Sequence, residues 1–212
     1  MLINIFLYFI LFNIVFFIIK SLRLYLTNIK LLTTIPSGIE AISFHTYKPN
    51  NSIIPLRGRI IAEYAYEIAY WLNIPIILSV GNTVPNEPRT ESEIYKDYIT
   101  SLPYYNKEIR IITSNNPQAR DTESEVATTF KHCLENHYKY IGVVALLPHL
   151  ILRIIPYWQK INSNQKIQIY FNGILGPKKY IFWELAMLVL EFYIPPNSWQ
   201  RKILLNFVNR KG

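Results

Sequence analysis

Cysteine is nearly absent from this chain, which carries one, Cys133, in 212 residues. No intrachain disulfide can form, so a disulfide-stapled scaffold is excluded and the redox compartment stays open. Glycine is scarce as well, and none is arranged as G-x-G-x-x-G after the first strand-like stretch, where the chain reads HTYKPNNSIIP. That excludes a dinucleotide fingerprint, whose glycines let the backbone approach a pyrophosphate. A Walker A loop and a G-x-S-x-G nucleophile elbow are also missing. No metal site is expected: His132 and Cys133 are neighbours in mid-helix and His137 falls in the following turn, a poor geometry for zinc. No basic stripe interleaved with stacking aromatics occurs, so nucleic acid is not an expected partner despite a net charge of +8 and a pI near 9.4.

What is present begins with one long apolar run. Leu2 to Ile19 reads LINIFLYFILFNIVFFII, 18 residues without a charge, polar only at Asn4, Asn13 and the Tyr8 phenol. At a rise of about 1.5 Å per residue it just crosses a hydrocarbon core of about 30 Å. A buried core helix is usually shorter and rarely apolar on every face. A cleaved signal peptide needs a basic start and a small-residue cleavage site, whereas here nothing basic precedes the run and Lys20, Ser21, Leu22 and Arg23 follow it. The expectation is a single-pass inner-membrane anchor over residues 1 to 20, with the lipid bilayer as partner through residues 2 to 19. No other segment reaches spanning length, since Tyr180 to Tyr193 is interrupted by Glu184 and Glu191. Lys20, Arg23 and Lys30 lie just after the span, which by the positive-inside rule favours a cytoplasmic domain.

Beyond a linker over residues 21 to 40, strand-like and helix-like stretches alternate. Strands are expected at Ala41 to Tyr47, Pro75 to Gly81, Glu108 to Thr113, Tyr140 to Leu147 and Lys166 to Phe171. Helices are expected at Arg57 to Leu72, Glu91 to Leu102, Asp121 to Asn136, His149 to Ile161 and Tyr180 to Tyr193, with Pro156 kinking or ending the fourth early. Strands such as PIILSVG and YIGVVALL, apolar on both faces, need helices on both sides of the sheet. The fold class is therefore α/β: a Rossmann-like, doubly wound, mostly parallel sheet of about five strands in one domain over residues 41 to 195. A basic tail over residues 196 to 212 either lies on a membrane surface or packs as an ordinary final helix.

In such sheets ligands bind beyond the carboxyl ends of the strands. Four clusters sit there: Arg57 and Arg59; Arg89, Thr90 and Glu91; Asn115, Asn116, Arg120, Asp121 and Thr122; and Pro148, His149 and Arg153. Helix capping accounts equally well for Asp121 or Thr122, and Thr90 with Glu93 fits a capping box. His149 is either a site residue or a satisfied buried histidine. Arg153, on the apolar stretch ILRII, calls for a carboxylate such as Asp121 or Glu91, or for a ligand anion.

The order and spacing of these residues resemble the YdcF/SanA/ElyC-like family, defined by domain of unknown function 218. Matching positions over residues 41 to 160 are Arg59, then Ser79 and Gly81 of ILSVG, Thr90 and Glu91 of TES, Asp121, Thr122 and Glu125 of RDTESE, and His149 and Arg153 of PHLILR. The chain departs from the pattern where the family has a glycine-bearing turn after the first strand, and where the usual Ser-Gly-Gly reads Ser79, Val80, Gly81, Asn82. The resemblance implies a Rossmann-like fold, an envelope or peptidoglycan role, and a domain on the periplasmic side, against the charge rule. It also implies a pocket for a small anionic or nucleotide-like ligand. There His149, Asp121 and Glu91 are the candidate catalytic residues, and Arg59, Ser79, Gly81, Thr90, Thr122, Glu125 and Arg153 the candidate ligand-binding ones. A non-enzymatic tethered scaffold or regulator is the alternative, and an S-adenosylmethionine binder a second; the cofactor is unspecified.

Overall fold

The computed structural model describes residues 35–50, 53–83, 87–114 and 116–176, with isolated positions towards both ends. The chain divides into two compact units, Leu32–Gly176 and a second made of Met1–Leu31 with Pro177–Gly212. The first is the α/β unit.

Five strands form one all-parallel sheet in the order β3-β2-β1-β4-β5. They are β1 (Ala41–Phe44), β2 (Ile76–Leu78), β3 (Ile111–Thr113), β4 (Tyr140–Leu146) and β5 (Gln168–Ile174). The helices between them are α1 (Leu56–Leu72), α2 (Glu91–Thr100) and α3 (Thr122–Glu135). After β4 comes a composite helix: α4 (Leu147–His149), a π-helical turn at Leu150–Ile154 and α5 (Ile155–Ile161). The chain moves outward from β1 to β3 and then returns past β1 to β4. Right-handed crossovers therefore put α1 and α2 on one face and α3 with the composite helix on the other. The contacts agree, since α1 packs on β1, β2, β4 and α2, while α3 packs on the π turn and α5. The order reverses between β1 and β4, which is the topological switch point.

Strand alternation divides the core in two. Ile42 and Phe44 of β1, Ile76 and Leu78 of β2, and Val144 and Leu146 of β4 join the cluster under α1 and α2. The intervening Ala41, Ser43, Ile77, Ile141, Val143 and Ala145 are equally buried but outside that cluster, turned towards α3 and the composite helix. Helix α1 buries Gly58, Ile61, Ala62, Ala65, Tyr66 and Ala69, a helical stripe. It stops at Asn73, whose left-handed φ of 52° lets its N–H cap the last turn.

Pro156 does not end the helix after β4, which runs to Ile161. A proline ring collides with the carbonyl four residues back. The turn before it widens instead, and the Ile155 N–H donates to the Leu150 carbonyl, five residues away. Single π turns inside helices are frequent at functional sites, and this one lies between His149 and α5.

No helix among the described residues is long and apolar enough to cross a membrane. Most of the run Leu2 to Ile19, and all of the expected helix from Tyr180 to Tyr193, fall outside the described residues. Within the run, Tyr8, Leu11, Phe12, Val15, Phe16, Ile18 and Ile19 are helical and exposed.

Candidate functional site

The segment after β1, His45-Thr46-Tyr47, is the centre of a buried polar cluster. His45 continues the sheet by donating its N–H to the Val144 carbonyl at 3.2 Å. Its side chain therefore falls on the α3 face, where its Nδ1 lies 2.8 Å from Oε2 of Glu125. The separation is that of a charge-assisted contact, although the carboxylate lies off the ideal N–H axis. The other ring nitrogen of His45, Nε2, is buried and has no partner among the described residues. Thr46 joins two carboxylates, donating its N–H to Glu125 at 3.4 Å and its hydroxyl to Glu91 at 2.6 Å.

Glu91 opens α2 and is 3% exposed. It accepts from Thr46 on one oxygen and from the Thr83 hydroxyl on the other. Burial pushes its carboxyl up from 4.5 to about 7; the Glu125 charge adds to the rise, while the two threonine hydrogen bonds and Lys48 oppose it. A carboxyl set there exchanges protons near neutral pH.

Tyr47 is held by its backbone. The Tyr95 hydroxyl accepts from the Tyr47 N–H at 2.9 Å and donates to its carbonyl at 2.7 Å. Burial raises the Tyr95 phenol and keeps it protonated. Gly58 makes room for it, since a Cβ there would stand 2.0 Å from the Tyr95 oxygen. So clamped, the Tyr47 ring lies under the Arg57 guanidinium at 4.6 Å and its hydroxyl reaches His149 Nδ1 at 3.2 Å. The hydroxyl of Thr122, the first residue of α3, meets His149 Nε2 at 3.2 Å. Both nitrogens of His149 are thereby occupied. Burial, then the positive charge of Arg153, then His45 and Arg57, push this histidine well below its ordinary 6.5, so it is neutral.

Glu91, Thr122, Glu125 and His149 are thus brought together with His45, Thr46 and Tyr47. Ser79, one residue past β2, is 1% exposed, with a hydroxyl that has no partner among the described residues. Arg153 is half-buried, close enough for its charge to be felt at His149. Three other expected residues do structural work. Thr90 and Glu93 form a complete capping box, as do Asp121 and Ser124. Gly81 packs against backbone: a Cβ there would lie 2.5 Å from the Asn116 carbonyl oxygen. Its N–H donates to the Ala119 carbonyl at 2.7 Å, tying together the loops after β2 and β3.

Arg59 does not join the cluster. It is exposed and lines a surface groove of about 370 Å³ with Ile53, Ile54, Arg89, Ile94, Asp97, Tyr98 and Ser101. A second depression, about 600 Å³, lies at the opposite end of the sheet beside Trp158 and Phe171. Asn116 is engaged with Thr128 at 2.8 Å, Arg120 bonds the Pro117 carbonyl at 3.3 Å, and Asn115 lies outside the described residues.

Sequence reasoning missed His45, Thr46, Tyr47, Thr83 and Tyr95. The available signal was position: HTY directly follows a strand, and a histidine at that point meets the same test that singled out His149. Among the described residues, no three of His, Cys, Asp and Glu are grouped to hold a metal ion. No protein-family model, curated protein or solved structure matches the chain.

Proposed function

We propose that this is a membrane-tethered protein of the cell envelope, similar to YdcF, SanA and ElyC, that binds a small anionic or nucleotide-like ligand at the β1/β4 switch point. One observation carries the reading: His45, Glu91, Glu125 and His149, from the segments after four different strands, are all buried together at that point. Burying an ionised group costs several kcal/mol before compensation, and keeping it neutral instead costs a shift in its proton affinity, so gathering four ionisable side chains from separate loops is the mark of a site more than of a core. Glu91 with its carboxyl near 7 and His45 with a buried, open nitrogen are its proton carriers. Arg57 and Arg153 supply positive charge for phosphate or carboxylate oxygens. Catalysis at this site is transfer or hydrolysis at a phosphorylated lipid or sugar carrier. The tether is the run from Leu2 to Ile19, supported by the exposed apolar side chains on its described helical positions. The resemblance favours the periplasmic face, and a reporter fused after Gly212 tests it by being active on one side only.

The binding test is calorimetric titration of the full chain in detergent with a nucleoside diphosphate and with a polyprenyl phosphate. Binding should weaken at least about tenfold in Arg153→Ala and in Glu125→Gln, a loss of about 1.4 kcal/mol, and stay unchanged in Lys131→Ala.

The non-enzymatic reading has its own support, since both nitrogens of His149 are satisfied within the protein and Asp121 serves as a cap. It expects alanine at Asp121 or Arg153 to lower Tm without altering any ligand response. An S-adenosylmethionine binder is disfavoured because no glycine turn follows β1, where that cofactor is usually cradled.

A further inference from the structure

Among the described residues two buried polar atoms of the cluster, His45 Nε2 and Ser79 Oγ, have neither a hydrogen bond nor an ion pair, and His45 Nδ1 has only its contact with the Glu125 carboxylate. Buried polar groups are almost always hydrogen-bonded, so each exception calls for a reason. The sheet places His45 and Ser79 at the carboxyl ends of adjacent strands. Strands β1 and β2 make their last pair at Ser43 and Ile77, and His45 and Ser79 each follow two residues further along their own chain segment. Neighbouring strands are about 4.8 Å apart, and residues two along share a face. His45 and Ser79 therefore share the α3 face, on which Glu125 lies against His45 Nδ1.

We propose that Ser79, His45 and Glu125 are the nucleophile, general base and orienting carboxylate for attack on a phosphate ester. The proposal rests on the ligand-site reading above and assigns that site its chemistry. A carboxylate beside Nδ1 favours the tautomer with its proton there and leaves Nε2 to accept a proton, the logic of serine, histidine and acid triads. Loose alignment before substrate binds is common in such sites.

Phosphorus, not a carbonyl carbon, is the electrophile because of what surrounds the serine. A tetrahedral carbonyl intermediate needs free backbone N–H groups beside the nucleophile. Here the Val80 N–H is taken by the Ser92 hydroxyl at 2.8 Å and the Gly81 N–H by the Ala119 carbonyl at 2.7 Å. Instead the guanidinium charges of Arg153 and Arg57 bear on His149, a member of the same cluster, and guanidinium forks suit phosphoryl oxygens.

In the first step Ser79 Oγ attacks phosphorus. The Oγ–P bond forms as the P–O bond to the leaving alcohol breaks, and His45 Nε2 takes the serine proton and passes it to the departing alkoxide. Water then attacks the phosphoserine, His45 takes a proton from it, and that proton returns to Ser79 Oγ. The products are the alcohol and the hydrolysed phosphate, with no redox partner.

The test is to incubate the full chain in detergent with a fluorophosphonate probe, locate the adduct by peptide mass spectrometry, and measure turnover of bis(p-nitrophenyl) phosphate and p-nitrophenyl acetate. The adduct should form on Ser79 as fluoride leaves and be absent in Ser79→Ala. Labelling should slow at least about 100-fold in His45→Ala and at least about tenfold in Glu125→Gln, the range for general-base loss. Glu125→Gln, which keeps shape while removing charge, decides the matter if His45→Ala fails to fold. Nitrophenol release from the phosphodiester should vanish in Ser79→Ala. An unlabelled Ser79 in folded wild type, labelling indifferent to both variants, or turnover confined to the acetate overturns the assignment. Nucleoside diphosphate binding by Ser79→Ala, measured alongside, separates the two claims: binding without labelling in wild type fells the nucleophile alone, and no binding in either protein fells the site reading.

Discussion

Replacing Glu91 by glutamine removes a buried carboxyl whose proton affinity is set near 7, and the consequence can be worked through in sign and size. Below pH 4.5 the group is protonated whether the chain is folded or not, so it contributes nothing to pH dependence. Between 4.5 and about 7 it ionises only on unfolding, so the wild type loses stability as pH rises through that window. Moving a buried carboxyl from 4.5 to about 7 corresponds to about 3 kcal/mol at roughly 1.36 kcal/mol per pH unit. Glutamine does not titrate, but it accepts less well from the Thr46 and Thr83 hydroxyls, a loss of about 1 kcal/mol. The Glu91→Gln protein should therefore be slightly less stable than wild type at pH 4.5 and about 2 kcal/mol more stable at pH 8. In a domain of this size, about 3 kcal/mol is roughly 6–12 °C of relative shift in Tm between those pH values. His149 acts in the opposite sense: its depressed proton affinity makes stability fall as pH drops below 6.5. That effect is common to both proteins and cancels in their difference. Thermal melts of wild type and Glu91→Gln across pH 4.5 to 8 are the assay, and a difference that does not change with pH would refute the reasoning.

Gly58→Ala should cost about 2 kcal/mol by driving its methyl into the Tyr95 hydroxyl, and adding Tyr95→Phe should recover part of that loss, a non-additivity read from denaturant melts. Gly81→Ala should be worse and resist such rescue, because the groups in its way are backbone atoms of Asn116 and Pro117. His149→Ala leaves the buried Tyr47 and Thr122 hydroxyls without their shared partner and should lower stability by about 2–4 kcal/mol, measured by urea unfolding. Arg57→Ala should weaken ligand binding several-fold more than Arg59→Ala in the same titration, since only Arg57 lies against the cluster.

The architecture was legible because its signals are strong and redundant. The apolar strands around Ile77 and Val143 demanded cover on both faces, and the alternation with amphipathic α1, α2 and α3 left little besides a doubly wound sheet. Pro156 was expected to kink the helix or end it early, and of the two the structure shows a disturbance without an ending, because a helix held by packing can widen by one residue where an isolated one would break. The buried polar cluster was legible in part. Glu91, Thr122 and His149 were picked out by position and residue type and Glu125 by the resemblance alone, whereas Arg59 was preferred to Arg57, two positions along α1 and on another side of it. His45 escaped because a histidine just past a strand carries no local sign of the partner it will meet. Its pairing with Glu125 spans 80 positions along the chain, a contact that depends on strand order, and no local pattern encodes that.

The account stands or falls on whether the buried cluster is a site at all. Calorimetric titration of the full chain with a nucleoside diphosphate and a polyprenyl phosphate, in wild type and in Glu125→Gln, tests this directly. Saturable binding to wild type that weakens at least about tenfold in the variant is the predicted result. A variant that melts at a lower temperature yet binds as wild type does, or a wild type that binds neither compound, would contradict it.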